Sequence, residues 1–436
     1  MPEKKMLISS DGLLPFVPRG GAILDGRIFI AVDIGTTTIA ASAYSASTQK
    51  CLASASSVNP QRKFGADVVS RIQAASTASG RKSLGDSVVS AVNSLLSRLL
   101  ALSALRLPRG FRAEIEGMAI TGNTAMLSIA FGLDCSSLAV APFSPPSLFG
   151  EDFCYGDFLR DCPVPFESVP RKTPLYVPPC VSSFFGADAI CALTACGFGE
   201  DDSERMLSDV GTNCEMALQT KTGKILCTAS AAGPAFEGYG IKCGMGAAEG
   251  AIAASRVKSD TLGGKTAEFD VIGGGKARGI CGTGLLSSLG TFLKLGILSA
   301  DGAISGFSGE IMLLDGVSLS QSDIRAVQLA KSAVRTGLDY LLAQGGREVS
   351  AFFLAGGFGT ALNPADASAI GMIPNELAAI AVPAGNAALS GAAAILLKSE
   401  MRDVAEKIAS KAECVNLAET DGFQERFIGN INFPKI

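Results

Sequence analysis

Asp33 stands near the end of an apolar run, IFIAVDIG, and is followed by Gly35 and three consecutive threonines, Thr36, Thr37 and Thr38. A tight Gly/Thr turn between two strands gathers backbone N–H groups and hydroxyls in one small concavity, which suits phosphate oxygens. A carboxylate at the end of the strand adds a ligand for hydrated Mg2+, an ion that takes one or two carboxylates together with substrate phosphates. One lobe-length later the pattern returns in RMLSDVGTNCEMALQT, where Asp209 precedes Gly211, Thr212 and Asn213. A third turn, Ala355-Gly356-Gly357-Phe358-Gly359, follows the apolar run FFL, and its glycines let a flat base and ribose approach the main chain. Each turn alone reads as an ordinary hairpin or strand-to-helix turn. The three in order read as a nucleotide clamp, with Asp33 and Asp209 as the carboxylates nearest the ion.

Such turns need strands to carry them and helices to bury the strands. Residues 28 to 45 alternate strand, turn and strand, and 205 to 220 repeat that pattern. Val88, Val92, Leu95, Leu96 and Leu99 recur near helical spacing and predict a helix over about 86 to 105. A strand is expected over 114 to 122, a helix from near Asn123, and a late helix over 385 to 397. The many prolines between 141 and 180 predict irregular coil wrapping a surface. The repeat of Asp, Gly and Thr one lobe apart predicts an internal duplication of a βββα-type unit in an α/β fold. The division is then an N-terminal extension (1–27), lobe I (28–204, with a proline-rich insertion at 141–180) and lobe II (205–436). GGKT at 263 to 266 resembles the end of a P-loop, but Ser259 stands where the first glycine would fall, and the flanks read as a hairpin.

Composition narrows the class. The chain has 436 residues, enough for two lobes with full cores, and 47% of them are hydrophobic against 18% charged, with mean hydropathy +0.34. So much apolar surface predicts burial against a partner, and a homodimer is expected. The net charge of -4 and the lack of basic runs longer than a pair exclude nucleic acid as an expected partner. No signal peptide is read at the N-terminus, the apolar stretch 377 to 397 is interrupted by Pro383, Gly385 and Asn386, and a cytoplasmic protein with no membrane span is expected. Twelve cysteines without a Cys-x-x-Cys pair read as buried thiols, and no intrinsic iron-sulfur cluster is expected. With no histidine in the chain, catalysis must run on carboxylates, hydroxyls, backbone amides and a bound ion.

The three turns resemble the phosphate-1, phosphate-2 and adenosine motifs of the sugar kinase, heat-shock ATPase and actin superfamily. Further segments narrow this. NPQRKFGADVVSRI (59–72), TGNTAML (121–127), VAPFSP (140–145), PPCVSSFFGAD (178–188), AAGPAFEG (231–238), GICGTGL (279–285), LAGGFG (354–359) and GNAALSGA (385–392) are similar to the ATPase domain of the reductive activators of corrinoid proteins. The resemblance implies two duplicated actin-like ATPase lobes, each a ribonuclease H-like βββαβαβα unit, with a nucleotide cleft between them. It implies an ATPase that helps return an inactive Co(II) corrinoid, on a corrinoid protein or a corrinoid methyltransferase, to Co(I). Asp33 would organise Mg2+ water, Gly35 to Thr38 would hold the terminal phosphates of ATP, and Gly211, Thr212 and Asn213 would hold them from the other lobe. Asp209 would be the second carboxylate near the ion, and Gly356, Gly357 and Gly359 would line the adenosine. Asp188 is the candidate for orienting the attacking water, or else a helix N-cap. Activators of this kind carry a ferredoxin-like domain whose clustered cysteines are not seen here, so a separate ferredoxin-type donor is expected to supply the electron. Two other readings stay open: a small-molecule kinase of the same fold, with Asp188 as base, and a nucleotide-dependent regulatory ATPase without a redox role.

Overall fold

The run RIFIAVDI is buried along most of its length and forms the strand β1 (Arg27–Ile34). Apolar residues on both of its faces are what a strand covered on both sides requires. The computed structural model describes residues 25–65, 67–108, 112–164, 167–261, 263–306, 309–345, 348–359 and 361–435, so nearly all of the expected N-terminal extension lies outside the described residues. After β1 come β2 (Thr38–Ser45), β3 (Cys51–Val58), α1 (Val68–Ala74), α2 (Ala78–Ala104), β4 (Glu114–Gly122), α3 (Thr124–Ala130), β5 (Glu151–Cys154), α4 (Tyr155–Leu159), β6 (Pro174–Val177) and α5 (Ala187–Ala195). Their sheet is ordered β3-β2-β1-β4-β6-β5. β1 pairs antiparallel with β2 and parallel with β4, which sets Asp33 opposite Ala40 and Thr121.

Two local expectations shift. Helix α2 starts at Ala78 rather than near Asp86, because Thr77 caps it: the Gly80 N–H donates to the Thr77 hydroxyl at 3.1 Å. By length and composition α2 could cross a membrane, yet Leu84, Val88, Val92, Leu95 and Leu99 are spent in the core of this unit. The proline-rich stretch is only partly coil. Pro174 opens β6, a place where a strand tolerates proline, and β6 pairs with β4 on one side and β5 on the other. Tyr155 and Phe158 of α4 are buried in the same core.

The chain continues through β7 (Arg205–Val210), β8 (Cys214–Gln219), β9 (Ile225–Ser230), β10 (Ala251–Ser259), β11 (Lys265–Val271), β12 (Gly279–Ile280), α6 (Gly282–Lys294), β13 (Glu310–Met312), β14 (Ser318–Ser320) and α7 (Gln321–Ala343). It ends with β15 (Ala351–Ala355), α8 (Gly356–Gly359), α9 (Pro364–Ala369), α10 (Asn375–Ala378), β16 (Ala381–Gly385), α11 (Ala387–Leu397), α12 (Ser399–Lys411) and α13 (Phe423–Gly429). The succession β9-β8-β7-β15-β16 in this second sheet repeats β3-β2-β1-β4-β6 in the first. The duplication read from two Asp-x-Gly-Thr turns is thus a duplication of topology. Gly263 and Gly264 lie in the turn between β10 and β11, where the Gly264 N–H donates to Asp260 Oδ1 at 2.7 Å, so GGKT belongs to a hairpin.

Packing separates two units, and they are not contiguous in sequence. The first takes the chain through Asp202, Thr222–Ile225 and Ala384–Cys414; the second takes Ser203–Lys221, Leu226–Pro383 and the rest. The cause of the return at 384 is α11. Its residues Ala387 to Ile395 are buried on every side, so the helix must be surrounded, and α5, β1 and β4 surround it. Gly391 permits the approach: a Cβ there would lie 1.9 Å from the Cys191 carbonyl oxygen of α5. A linear division at 204/205 does not register this return.

Candidate functional site

In the first unit, β1 delivers Asp33 to a turn closed by the Gly35 N–H, which donates to the Thr38 carbonyl at 3.0 Å. Asp33 is half-buried and accepts from Asn386 Nδ2 at 2.9 Å, at the start of α11. Burial pushes its carboxyl up to about 6, and the Asn386 hydrogen bond works against that rise. The Gly35 carbonyl accepts from Asn59 Nδ2 at 2.8 Å, and the Thr37 carbonyl accepts from the Asn59 N–H at 2.9 Å. The Thr36 hydroxyl accepts from Asn123 Nδ2 at 3.2 Å. Thr38, the first residue of β2, is exposed.

Asp188 lies in the first turn of α5, whose N-cap is Gly186, so the N-cap alternative for Asp188 does not hold. The two helix starts press together: a Cβ on Gly186 would meet Asn123 Cα at 2.6 Å. Burial drives the Cys191 thiol well above its ordinary range, and the charges of Asp188 and Asp33 add to that rise. Both carboxylates therefore lie within electrostatic reach of one thiol. The structure brings Asp33, Gly35, Thr36, Thr37, Thr38 and Asp188 together.

In the second unit, Asp209 is next to last in β7, opposite Ala355 of β15 and Glu215 of β8. The Gly211 N–H donates to the Asn213 carbonyl at 2.9 Å, closing a turn one residue tighter than the Gly35–Thr38 turn. The Thr212 hydroxyl donates to Glu237 Oε1 at 2.8 Å, and its carbonyl accepts from the Gly233 N–H at 2.9 Å. Gly356 joins the glycine-rich turn to this one. Its φ of +88° is left-handed, and a Cβ would fall 2.4 Å from Asp209 Oδ1, so only glycine fits. Gly359 is buried, whereas Gly357 is exposed. Phe358 of the same turn stacks on Phe236, with centroids 5.3 Å apart and planes 7° from parallel.

Two family descriptions match the chain: the RACo middle region over residues 28–201, and the C-terminal domain of RACo, the ASKHA domain, over residues 204–436. The chain belongs to the RACo family. Its α/β fold is therefore the actin-like ASKHA type. Among proteins similar to this RACo-family chain is the corrinoid activation enzyme RamQ of Eubacterium limosum. It is 28% identical over 460 residues, spanning 98% of this chain and 74% of RamQ. The [Co(II) methylated amine-specific corrinoid protein] reductase of Methanosarcina barkeri is 28% identical over 348 residues, spanning 74% of this chain and 63% of that protein. A solved reductive activator for corrinoid,iron-sulfur protein superposes with a TM-score of 0.79 at 28% identity, over 95% of this chain and 67% of that one.

Asn59, Asn123, Asn386, Glu237 and the Phe236–Phe358 pair were given no role in the site from the sequence. Each asparagine stands just before a helical turn, a cap signal visible in sequence, but its second partner is not. The donor set of the first turn suits a hard cation beside phosphate. Asp33 commits Oδ2 to Asn386, and Oδ1 accepts no hydrogen bond among the described residues.

Proposed function

We propose that this protein is an ATP-dependent activator that helps reduce the Co(II) corrinoid of a corrinoid protein or methyltransferase to Co(I). ATP and water become ADP and phosphate, and one electron passes from a separate ferredoxin-type donor to cobalt. The observation that carries this reading is family membership across both halves of the chain, joined to the twin Asp-x-Gly-Thr turns. Asp33, with Asp209 as second carboxylate, would hold Mg2+, which when bound neutralises charge on the phosphates. The Gly35–Thr38 turn holds terminal phosphate oxygens through the amides and hydroxyls that it does not spend on its own closure, and the Gly211–Asn213 turn, where Thr212 already donates to Glu237, does so through its remaining amides. Asp188 orients the attacking water, and Gly356, Gly357 and Gly359 line the adenosine, with Gly357 the most open of the three. The protein works in the cytoplasm as a homodimer, and nucleotide turnover favours one of two arrangements of the corrinoid partner.

The test mixes the protein with ATP, Mg2+, reduced ferredoxin and a Co(II) corrinoid protein and follows the optical spectrum. Appearance of the Co(I) bands only when ATP is present is the expected result. ATP hydrolysis without Co(I) on any corrinoid partner encoded nearby would sink corrinoid activation, and phosphate found on a metabolite would favour a kinase instead.

A further inference from the structure

Three asparagines from three separate elements converge on the turn after β1, and each uses its side-chain amide twice. Asn59 Oδ1 accepts from the Gln61 N–H at 3.0 Å, capping the 3-10 turn Pro60–Lys63, while its Nδ2 donates to the Gly35 carbonyl at 2.8 Å. Asn123 Oδ1 accepts from the Met126 N–H at 2.9 Å at the start of α3, while Nδ2 donates to Thr36 Oγ1 at 3.2 Å. Asn386 Oδ1 accepts from the Leu389 N–H at 2.8 Å at the start of α11, while Nδ2 donates to Asp33 Oδ2 at 2.9 Å.

The orientation of each amide follows from chemistry. Only the oxygen can take a helix N–H, so the cap fixes the amide and turns Nδ2 toward the Asp33–Thr38 turn. A carbonyl and a carboxylate can only accept, so Gly35 and Asp33 demand the same orientation from the other side. Aspartate and serine cap helices about as well as asparagine, but neither carries an N–H donor. Helix capping alone therefore does not explain asparagine at all three positions; the turn does.

We propose that Asn59, Asn123 and Asn386 are positioning residues that hold the Asp33–Thr38 turn in its phosphate-receiving shape by tying it to three helical elements at once. What the turn receives rests on the nucleotide reading above; the tie itself does not. Each bond fixes a different part. Asn386 occupies one oxygen of Asp33 and leaves Oδ1 toward the ion. Asn59 holds the carbonyl of Gly35, the residue whose own N–H closes the turn. Asn123 fills an acceptor position of the Thr36 hydroxyl, leaving its O–H to donate to a phosphate oxygen.

Asn→Ser at each position keeps a cap and removes the amide N–H that reaches the turn. Exchange of the turn amides is measured in the ligand-free protein, and kcat, KM and affinity for Mg2+ with a non-hydrolysable ATP analogue in its presence. Each serine variant should melt within about 2 °C of the unsubstituted protein and exchange the Gly35 amide about tenfold faster. N386S should lower kcat about tenfold with KM for ATP within about threefold, and N59S and N123S should weaken analogue binding about tenfold. If a serine variant misfolds, the threonine variant at that position, which also caps and adds no charge, repeats the measurement. Unchanged exchange, kcat and affinity across the set would overturn the proposal and leave three helix caps. Faster exchange in a protein that never binds Mg2+ and ATP would instead overturn the nucleotide reading and leave the tie standing.

Discussion

Asp33 is kept where a charge is unwelcome. Its carboxyl ionises at about 6 in the fold against 3.8 ordinarily, so the fold favours the protonated form. That contribution is present at low pH and is lost as pH rises from about 4 through 6, so at neutral pH the ionised side chain is a cost to folding. Asn386 offsets part of it. Asp33→Asn should therefore melt no lower than the unsubstituted protein at pH 7, while, on the proposed ATPase reading, phosphate release falls at least about 100-fold through loss of the charge that would hold the ion. A melting temperature several degrees lower would show that the carboxylate is structural instead. The acid and its threonines were legible in the sequence because residue types and spacing within one turn are local. Asn386, more than 350 residues away in sequence from the carboxylate it touches, was not.

At the scale of elements, α11 packs on α5 through a glycine, Gly391, set against the Cys191 carbonyl. Gly391→Ala places a methyl group against the Cys191 carbonyl, and α5 and α11 must separate. A loss of about 1–3 kcal/mol in stability is expected from denaturant unfolding, together with reduced turnover, because α5 bears Asp188 and α11 begins at Asn386. Normal stability would show that the helices shift without strain. Helix α7 poses a different question, since Lys331 is fully buried and donates to the Asn432 carbonyl of the C-terminal segment. Burial pushes its ammonium down to about 8 from 10.5. Between those values the unfolded chain binds the proton and the folded one does not, so this group adds stability as pH rises from 8 to 10.5. Melting temperatures over that range should rise more steeply, or fall less steeply, in the unsubstituted protein than in Lys331→Met; parallel curves would exclude the effect. The proline-rich stretch belongs to this scale too. Its prolines signalled coil correctly for the links, but whether a short strand such as β6 forms depends on the open edge of β4, which no local pattern reports.

For the whole molecule, the return of 384–414 means that no contiguous segment forms the first unit. Residues 25–202 alone should lack the helix that covers β1, β4 and α5 and should show little protection of the β1 amides in hydrogen exchange. The same segment joined by a flexible linker to 384–414 should recover it, and equal protection in both would show that α11 is dispensable. The sequence alone established the paired Asp-x-Gly-Thr turns, the duplication and, through many ordered motifs, the family. These are encoded in short segments whose turn chemistry and apolar pattern are set by neighbours in the chain. Tertiary structure alone decided which asparagines grip the Asp33–Thr38 turn, that Gly356 lies against Asp209, and that α11 completes a unit begun more than 300 residues earlier. Such contacts join residues far apart in sequence, and close packing rather than local propensity selects them.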